Sequence, residues 1–513
     1  MYNVVIHRKE KDKMKKHTLI ILVLCIIFVA FFAGCTESTE KYKDAVSIEL
    51  SNDGISVDAK EKEHGVRIAS DIVYYPEGMN FAFGEGSEGD AHSKEEADKH
   101  KVVHITKPGT YILSGKLDYG QIAVDLGNDA KDNPKSKVTL VLNGADINCE
   151  VAPAVIFYNV YECGTKDEET ATKDVDTTNA GANVIIADGT VNNIMGSYVA
   201  KIYASAQLNE EGTEVVDSKK LHKYDGAFYS KMSMNISAEK KGDGILNIKA
   251  ENEGMDSELH LTINSGNINI ESGNDGINTN EDNISVTTIN GGNVSIKVNG
   301  STGEGDGIDS NGWLIINGGT LNASGCGFSG DAGIDSDRGI HINGGEIVAA
   351  GNMLDRISES DATYVVFEFA QKQEGAKTYF LKDKDGKMIK EWKPENDFST
   401  LVVSSNDVTE GEYTLWRENE VMFVAEGIER DGMHPRGGEH MKNGENSAPP
   451  RDMNREQTKN RMLSEEMPNP PTGEMPSMME RGFGKSFDTT KLKSEFAIKK
   501  GGNYFIIINK TEE

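Results

Sequence analysis

The chain has 513 residues, 37% apolar, with 54 Gly against 12 Pro, a balance that suits many tight turns better than long helices. Length allows two or three ordinary domains. A formal net charge of −29 and a pI near 4.8 argue against a nucleic-acid partner, which would need a Lys/Arg stripe that is absent. An acidic surface attracts cations instead.

The N-terminus reads "HRKEKDKMKKHTLIILVLCIIFVAFFAGC": a basic segment, an apolar run from Leu19 to Phe32, then Ala33-Gly34-Cys35. That is the layout of a secretory signal, and translation starting at Met14 would fit it as well. A Cys directly after Phe-Ala-Gly resembles a bacterial lipoprotein signal, with Cys35 acylated as the first mature residue. The protein is then expected outside the cytoplasm, held at the cell membrane by acyl chains. An uncleaved anchor is the alternative, but the run is short for a span of roughly 20 residues. Cys25 belongs to the signal with Cys35, leaving Cys149, Cys163 and Cys326. Export would permit a Cys149–Cys163 bridge, which spacing alone does not establish. No CxxC, HExxH or Cys/His zinc spacing occurs.

Residues 36–65 are polar and read as a tether within a lead-in segment, 36–100. From about Val102 come short β-branched runs closed by Asn-Gly, Asp-Gly or Gly: "GTYILSG", "QIAVDLG", "KVTLVLNGADI", "PAVIFYNV", "NVIIADGT". A polar insertion at 163–182 reads as a surface loop. Then repeats begin. The Asn of an Ile-Asn-(Gly/Ser)-Gly turn falls at Asn264, Asn290, Asn317 and Asn343, in steps of 26, 27 and 26. Before each turn stands Gly-(Ile/Met)-(Asp/Asn)-(Ser/Thr), at Gly254, Gly276, Gly307 and Gly333. After each comes a third apolar stretch, such as "NINIES" or "NVSIKV". A period of this size means a solenoid or an array. Period-2 alternation excludes helical repeats, and propeller blades need about 40 residues. Three strands per repeat of about 26 residues predict an all-β fold, a right-handed parallel β-helix over 101–357. Its coils would stack roughly 4.8 Å apart. Alternation puts Met255, Ile277, Ile308 and Ile334 inside, with Asp256, Asn278, Asp309 and Asp335 outside; Trp313 also points out.

"KVTLVLNGADI", "VIIADGTVNNIMG", "DGAFYSKMSMNI", the repeats and the trailing "VVFEFAQKQEGAKTYFLKDKDGKMIKEW" together resemble bacterial carbohydrate-binding proteins with a right-handed parallel β-helix. The resemblance covers roughly 100–425. It implies binding of cellulose or polygalacturonate, calcium held in the helix, and a fold like that of pectate lyases. One departure is "DGAFYS", which has one residue more than "DGIDS".

Stacked carboxylates repel by about 3 kcal/mol at 5 Å and an effective dielectric near 20. Such a column calls for solvent, raised pKa values or a cation. Oxygen ligands at bends suit Ca²⁺, and the candidates are Asp256, Asp275, Asn278, Asp306, Asp309, Asp331, Asp335 and Asp337. The same Asp residues could instead only make Asx turns. Calcium would also let an acidic protein bridge to a uronate. A neutral glycan would use aromatic platforms, for which Trp313, Tyr224 and Tyr229 are the candidates. A lyase would need a basic residue beside the metal; Lys231, Lys249, Lys297 and Arg338 are those available, Arg338 the best placed. The expected protein is a monomeric, non-catalytic polysaccharide binder, with a calcium-dependent lyase and an adhesive stalk as the alternatives.

Residues 358–427 alternate as a small β module covering the end of the repeats. Residues 428–485 are rich in Met, Pro and Gly and read as disordered spacer. Met433, His434, His440 and Met441 there carry the thioether and imidazole groups that suit copper, against the spacer reading. Residues 486–513 contain two returning strands, "SEFAIKKGGNYFIIIN".

Overall fold

The computed structural model describes residues 42–425 and 492–509, apart from 61–62, 79–83, 86, 210–214 and 359. Cys35 and the signal, and the Met/Pro-rich 428–485, lie outside the described residues. Among the described residues the chain is all-β. Helix is confined to Lys94–Asp98 and two 3-10 turns, and no helix is long and apolar enough to cross a membrane.

The repeat at Gly333 forms only its last two strands, Gly339–Ile342 and Glu346–Gly351, while each earlier one supplies three short strands, for example Ile277–Thr279, Val286–Ile289 and Asn293–Val298. Each pairs in parallel with its equivalent one repeat on: Ile277 with Ile308, Val286 with Trp313, Asn293 with Thr320. Constant offsets stack like on like. Met255, Ile277 and Ile308 form one interior column. Ile263, Ile289, Ile316 and Ile342 form a second, and Ile270, Ile296, Ala323 and Ala349 a third. None is more than 3% exposed. Burying each isoleucine contributes roughly 1.5–3 kcal/mol, which a single repeat could not collect alone.

The recurrent glycines follow from this stacking. A Cβ on Gly276 would stand 2.5 Å from the Gly307 carbonyl oxygen, and one on Gly307 would stand 2.3 Å from that of Gly333. The Asn turns stack as well. The Asn290, Asn317 and Asn343 amides donate to the Asn264, Asn290 and Asn317 side-chain oxygens at 2.9, 2.9 and 2.8 Å.

Two parts of the chain differ from expectation. Val46–Leu50, inside the segment read as a tether, pairs in parallel with Gly109–Leu117 and buries Ile48 and Leu50 in the main core. Its alternation is too short, and too closely surrounded by charge, to stand out from the sequence. Val199–Leu208 and Val215–Tyr224 form a long antiparallel hairpin that the sequence reading passed over.

Parallel stacking ends where Glu346–Gly351 pairs antiparallel with Phe398–Ser404. Tyr364–Gln373 joins that strand, and Gly502–Ile508 returns to lie parallel to Tyr364–Gln373. A second apolar cluster around Phe367, Phe369, Tyr379 and Phe398 sits beneath a smaller sheet that includes Tyr379–Asp383, Gly411–Arg417 and Glu495–Ile498. This module occupies the edge that the last repeat would otherwise leave unpaired.

Candidate metal centre and the comparisons

The first strand of each repeat carries the acidic residues. Tyr229, Asp256, Asn278 and Asp309 hold equivalent positions in successive strands. Asp335 extends the run, because its N–H donates to the Ile308 carbonyl at 2.7 Å. The extra residue of "DGAFYS" shifts its strand so that Gly226, not Asp225, lies opposite Glu253. Asp225, Glu253 and Asp256 thereby come together, with one carboxylate oxygen from each within 4.8 Å of the others. All three are 5% exposed or less.

This cluster is short of partners. Glu253 Oε1 accepts from the Asn278 amide at 3.1 Å and Asp256 Oδ1 from the Asn280 amide at 2.7 Å. Glu253 Oε2, Asp256 Oδ2 and Asn278 Oδ1 are buried and accept nothing. Burial first, then mutual repulsion with Asp225, pushes the Glu253 and Asp256 carboxyls well above the ordinary carboxylate range. The Lys223 ammonium, 2.5 Å from Asp225 Oδ2, supplies a cation within reach. Orphaned hard oxygens from carboxylate and amide are the donor set a calcium ion takes.

Further along, the same face divides its roles. Asp275 Oδ1 accepts the Asp306 N–H at 2.7 Å, Asp306 Oδ1 accepts the Ala332 N–H, and Asp331 Oδ2 accepts the Gly305 N–H at 2.6 Å. These three therefore tie adjacent repeats through carboxylate-to-backbone hydrogen bonds that reach across 26 to 31 residues of sequence, rather than through local Asx turns. Burial, ahead of neighbouring carboxylates, raises Asp275 to about 7, Asp309 to about 8 and Asp335 to about 7, and lifts Asp306 well above its usual value. A side-chain hydrogen bond joins Asp335 to Asp355, raising the Asp335 carboxyl and lowering that of Asp355 against the burial that lifts both. Asp337 is exposed, its carboxyl raised by partial burial and by Asp335.

The proposed aromatic platforms are covered, which corrects the sequence reading. Tyr229 is 2% exposed and donates to Glu258 Oε1; Tyr224 packs edge-on against it and against Tyr158. Trp313 does turn away from the interior, but Ala171 and Val175 of the insertion pack on it with Val286 and Ile315. The Arg338 guanidinium lies 4.4 Å from its ring centre. Alternation says which side of a strand a residue faces and nothing about what lies over it. No open sugar-stacking face remains at these three residues.

A family profile described as carbohydrate-binding domain-containing protein matches residues 99–365. The chain belongs to this family. Among solved structures it is similar to a polysaccharide lyase-like protein from C. thermocellum, a gadolinium derivative. Identity is 21%, coverage 62% of this chain and 93% of that one, and the TM-score 0.36. No curated protein matches.

Of the residues expected to bind metal, the structure gathers Asp256 with Asn278 and adds Asp225 and Glu253, which the sequence reading missed. A signal was present: Asp225-Gly226 and Glu253-Gly254 repeat the acid-Gly pair of Asp275-Gly276 and Asp306-Gly307. Glu253 stands where the other repeats have Asp, and the extra residue of "DGAFYS" takes Asp225 out of step with the motif. Asp355 carried no motif at all. Cys149, Cys163 and Cys326 are free thiols, and burial pushes Cys149 up to about 12 and Cys163 to about 11.

Proposed function

We propose that this protein is a non-catalytic polysaccharide-binding protein whose repeats wind as a right-handed parallel β-helix stabilised by calcium. A lipid on Cys35 would display it, as a monomer, on the outer side of the membrane. Family membership over 99–365 supports carbohydrate as the ligand. Parallel pairing of each strand with its equivalent one repeat on supports the winding. The observation that carries the metal is the trio of buried, unpartnered oxygens on Glu253, Asp256 and Asn278. Asp225, Glu253, Asp256 and Asn278 would hold the ion, whose charge would offset the burial and the repulsion that raise the Glu253 and Asp256 carboxyls. Asp309 and Asp335 are the residues suited to a second ion.

Binding is favoured over a lyase by the positions of the basic side chains. Arg338 is engaged with Trp313 and the Asn283 carbonyl, while Lys249 and Lys297 stand on third strands, away from the acidic face. Lys223 reaches the carboxylates, but Asp225 and Glu253 hold its ammonium charged, the wrong state for a base. Retention of the purified protein on insoluble glycans, in Ca²⁺ and in chelator, tests the reading. Retention with no unsaturated product from polygalacturonate supports a binder; release of such product makes it a lyase; no retention on any glycan leaves the stalk.

A further inference from the structure

The third strands present a different surface. From Val191–Gly196 through Ile245–Ala250, Asn267–Ser272, Asn293–Val298 and Thr320–Ser324 to Glu346–Gly351, they stack in parallel and in register. Five steps of about 4.8 Å make a strip about 24 Å long. Asn193, Asn247, Asn269, Ser295 and Asn322 form one outward column along it. The Asn247 and Asn269 amides each donate to the preceding side-chain oxygen at 2.9 Å. Each amide keeps a second N–H and further lone pairs turned to solvent.

The strip runs into a cavity of 380 Å³ between the repeats and the C-terminal module. Lys390, Trp392 and Lys393 wall it on one side and Ser295, Thr320 and Asn322 on the other. The wall is fixed: Lys390 pairs with Glu346, the Glu395 N–H donates to Ser324 Oγ, and the Asn396 amide donates to the Val298 and Gly325 carbonyls. The Ser295, Thr320 and Asn322 side chains make no hydrogen bond among the described residues, so three polar groups line a preformed cavity with their capacity unspent.

Charge narrows the ligand. Across the strip and its wall, Lys249, Lys297, Lys390 and Lys393 meet Glu271, Glu346, Glu391 and Glu395, four against four, on a chain of net charge −29. A polyanion would gain nothing here, whereas a hydroxyl-rich neutral chain finds donors and acceptors at a regular spacing. We infer that the glycan-binding groove is this third-strand strip with its end cavity, that its ligand is a linear neutral polysaccharide, and that the acidic face takes no part in the contact. The inference rests on the carbohydrate-binding reading above and specifies its site and ligand class.

Affinity electrophoresis of the full chain through gels containing a soluble neutral β-glucan, or polygalacturonate, tests it. The parent should be retarded by the glucan and not by polygalacturonate. The Ser295→Leu/Asn322→Leu double variant should bind the glucan about tenfold more weakly, the consequence of two lost hydrogen bonds. Asn343→Leu, in the separate turn ladder, should bind as the parent does. Melting curves check folding, and if the double variant is destabilised, Thr320→Val carries the test with an expected severalfold loss. A well-folded variant of undiminished affinity, or a parent retarded by polygalacturonate alone, overturns this assignment while leaving carbohydrate binding standing. A parent retarded by no glycan overturns both.

Discussion

The first-strand and third-strand faces come from the same repeats and share one stacking distance, yet stacking has opposite consequences on them. An amide placed on an amide is complementary, because each has both a donor and an acceptor. Asn193, Asn247 and Asn269 accordingly satisfy one another in the open. A carboxylate placed on a carboxylate repels, and under cover the repulsion is stronger. Glu253 and Asp256, gathered with Asp225, are therefore left with orphaned oxygens and a need for protons or a cation. Regular repetition by itself is neutral: the side chain repeated decides whether a column stabilises the stack or demands a ligand.

This contrast can be broken or sharpened by experiment. The largest effect should come from the interior both faces share: Ile277→Ala, at 0% exposure in the middle of its column, should cost about 2–5 kcal/mol by chemical denaturation. It should also weaken metal and glycan binding together. Next comes the ion. Calcium at 100-fold excess over its Kd should add about 2.7 kcal/mol per site, seen as a rise of Tm by several degrees that chelator reverses. An unchanged Tm would remove calcium from the acidic face and leave the amide face untouched.

Glu253→Gln should act in opposite directions according to the metal. In chelator at pH 8 it relieves repulsion and stabilises by roughly 1–2 kcal/mol; in calcium it abolishes the Tm rise. A uniform loss of stability in both conditions would count against a metal centre. A pH series refines this. Asp275, Asp309 and Asp335 have folded values near 7–8, above the unfolded value near 4, so the folded state holds more protons. Without metal their contribution is full below about pH 4 and is lost as pH rises toward 8. The calcium-induced Tm rise should grow over the same interval, as calcium needs the deprotonated ligands. The smallest effect is expected from Asn290→Ala in the exposed turn ladder, about 1 kcal/mol, with both ligands still bound.

Much of this architecture was legible beforehand. The Gly276, Gly307 and Gly333 spacing and the Asn290 to Asn343 turns located the strands, because close approach between layers forbids a Cβ and the turn rewards stacked amides. The interior assignments of Met255, Ile277, Ile308 and Ile334 followed from period-2 alternation alone. The metal centre was half legible: Asp256 and Asn278 were visible in the repeat motif, while Asp225 depended on a one-residue shift that only pairing with Glu253 reveals. The aromatic sites were misjudged for a different reason. Trp313 faces outward as expected, and the insertion that covers it lies more than 130 residues earlier in the chain.

Sequence by itself determined the all-β class, the repeat, and which side chains stack on which, since these depend on local periodicity and on backbone groups that must pair. Tertiary structure alone decided which columns are covered and which stay open. Over Trp313 the cover comes from the 163–182 insertion, and beside the last third strands from the C-terminal module, segments whose positions no repeat encodes. Burial is a property of what lies above a side chain, and burial is what turns a row of aspartates into an unsatisfied site and leaves a row of asparagines free to meet a ligand.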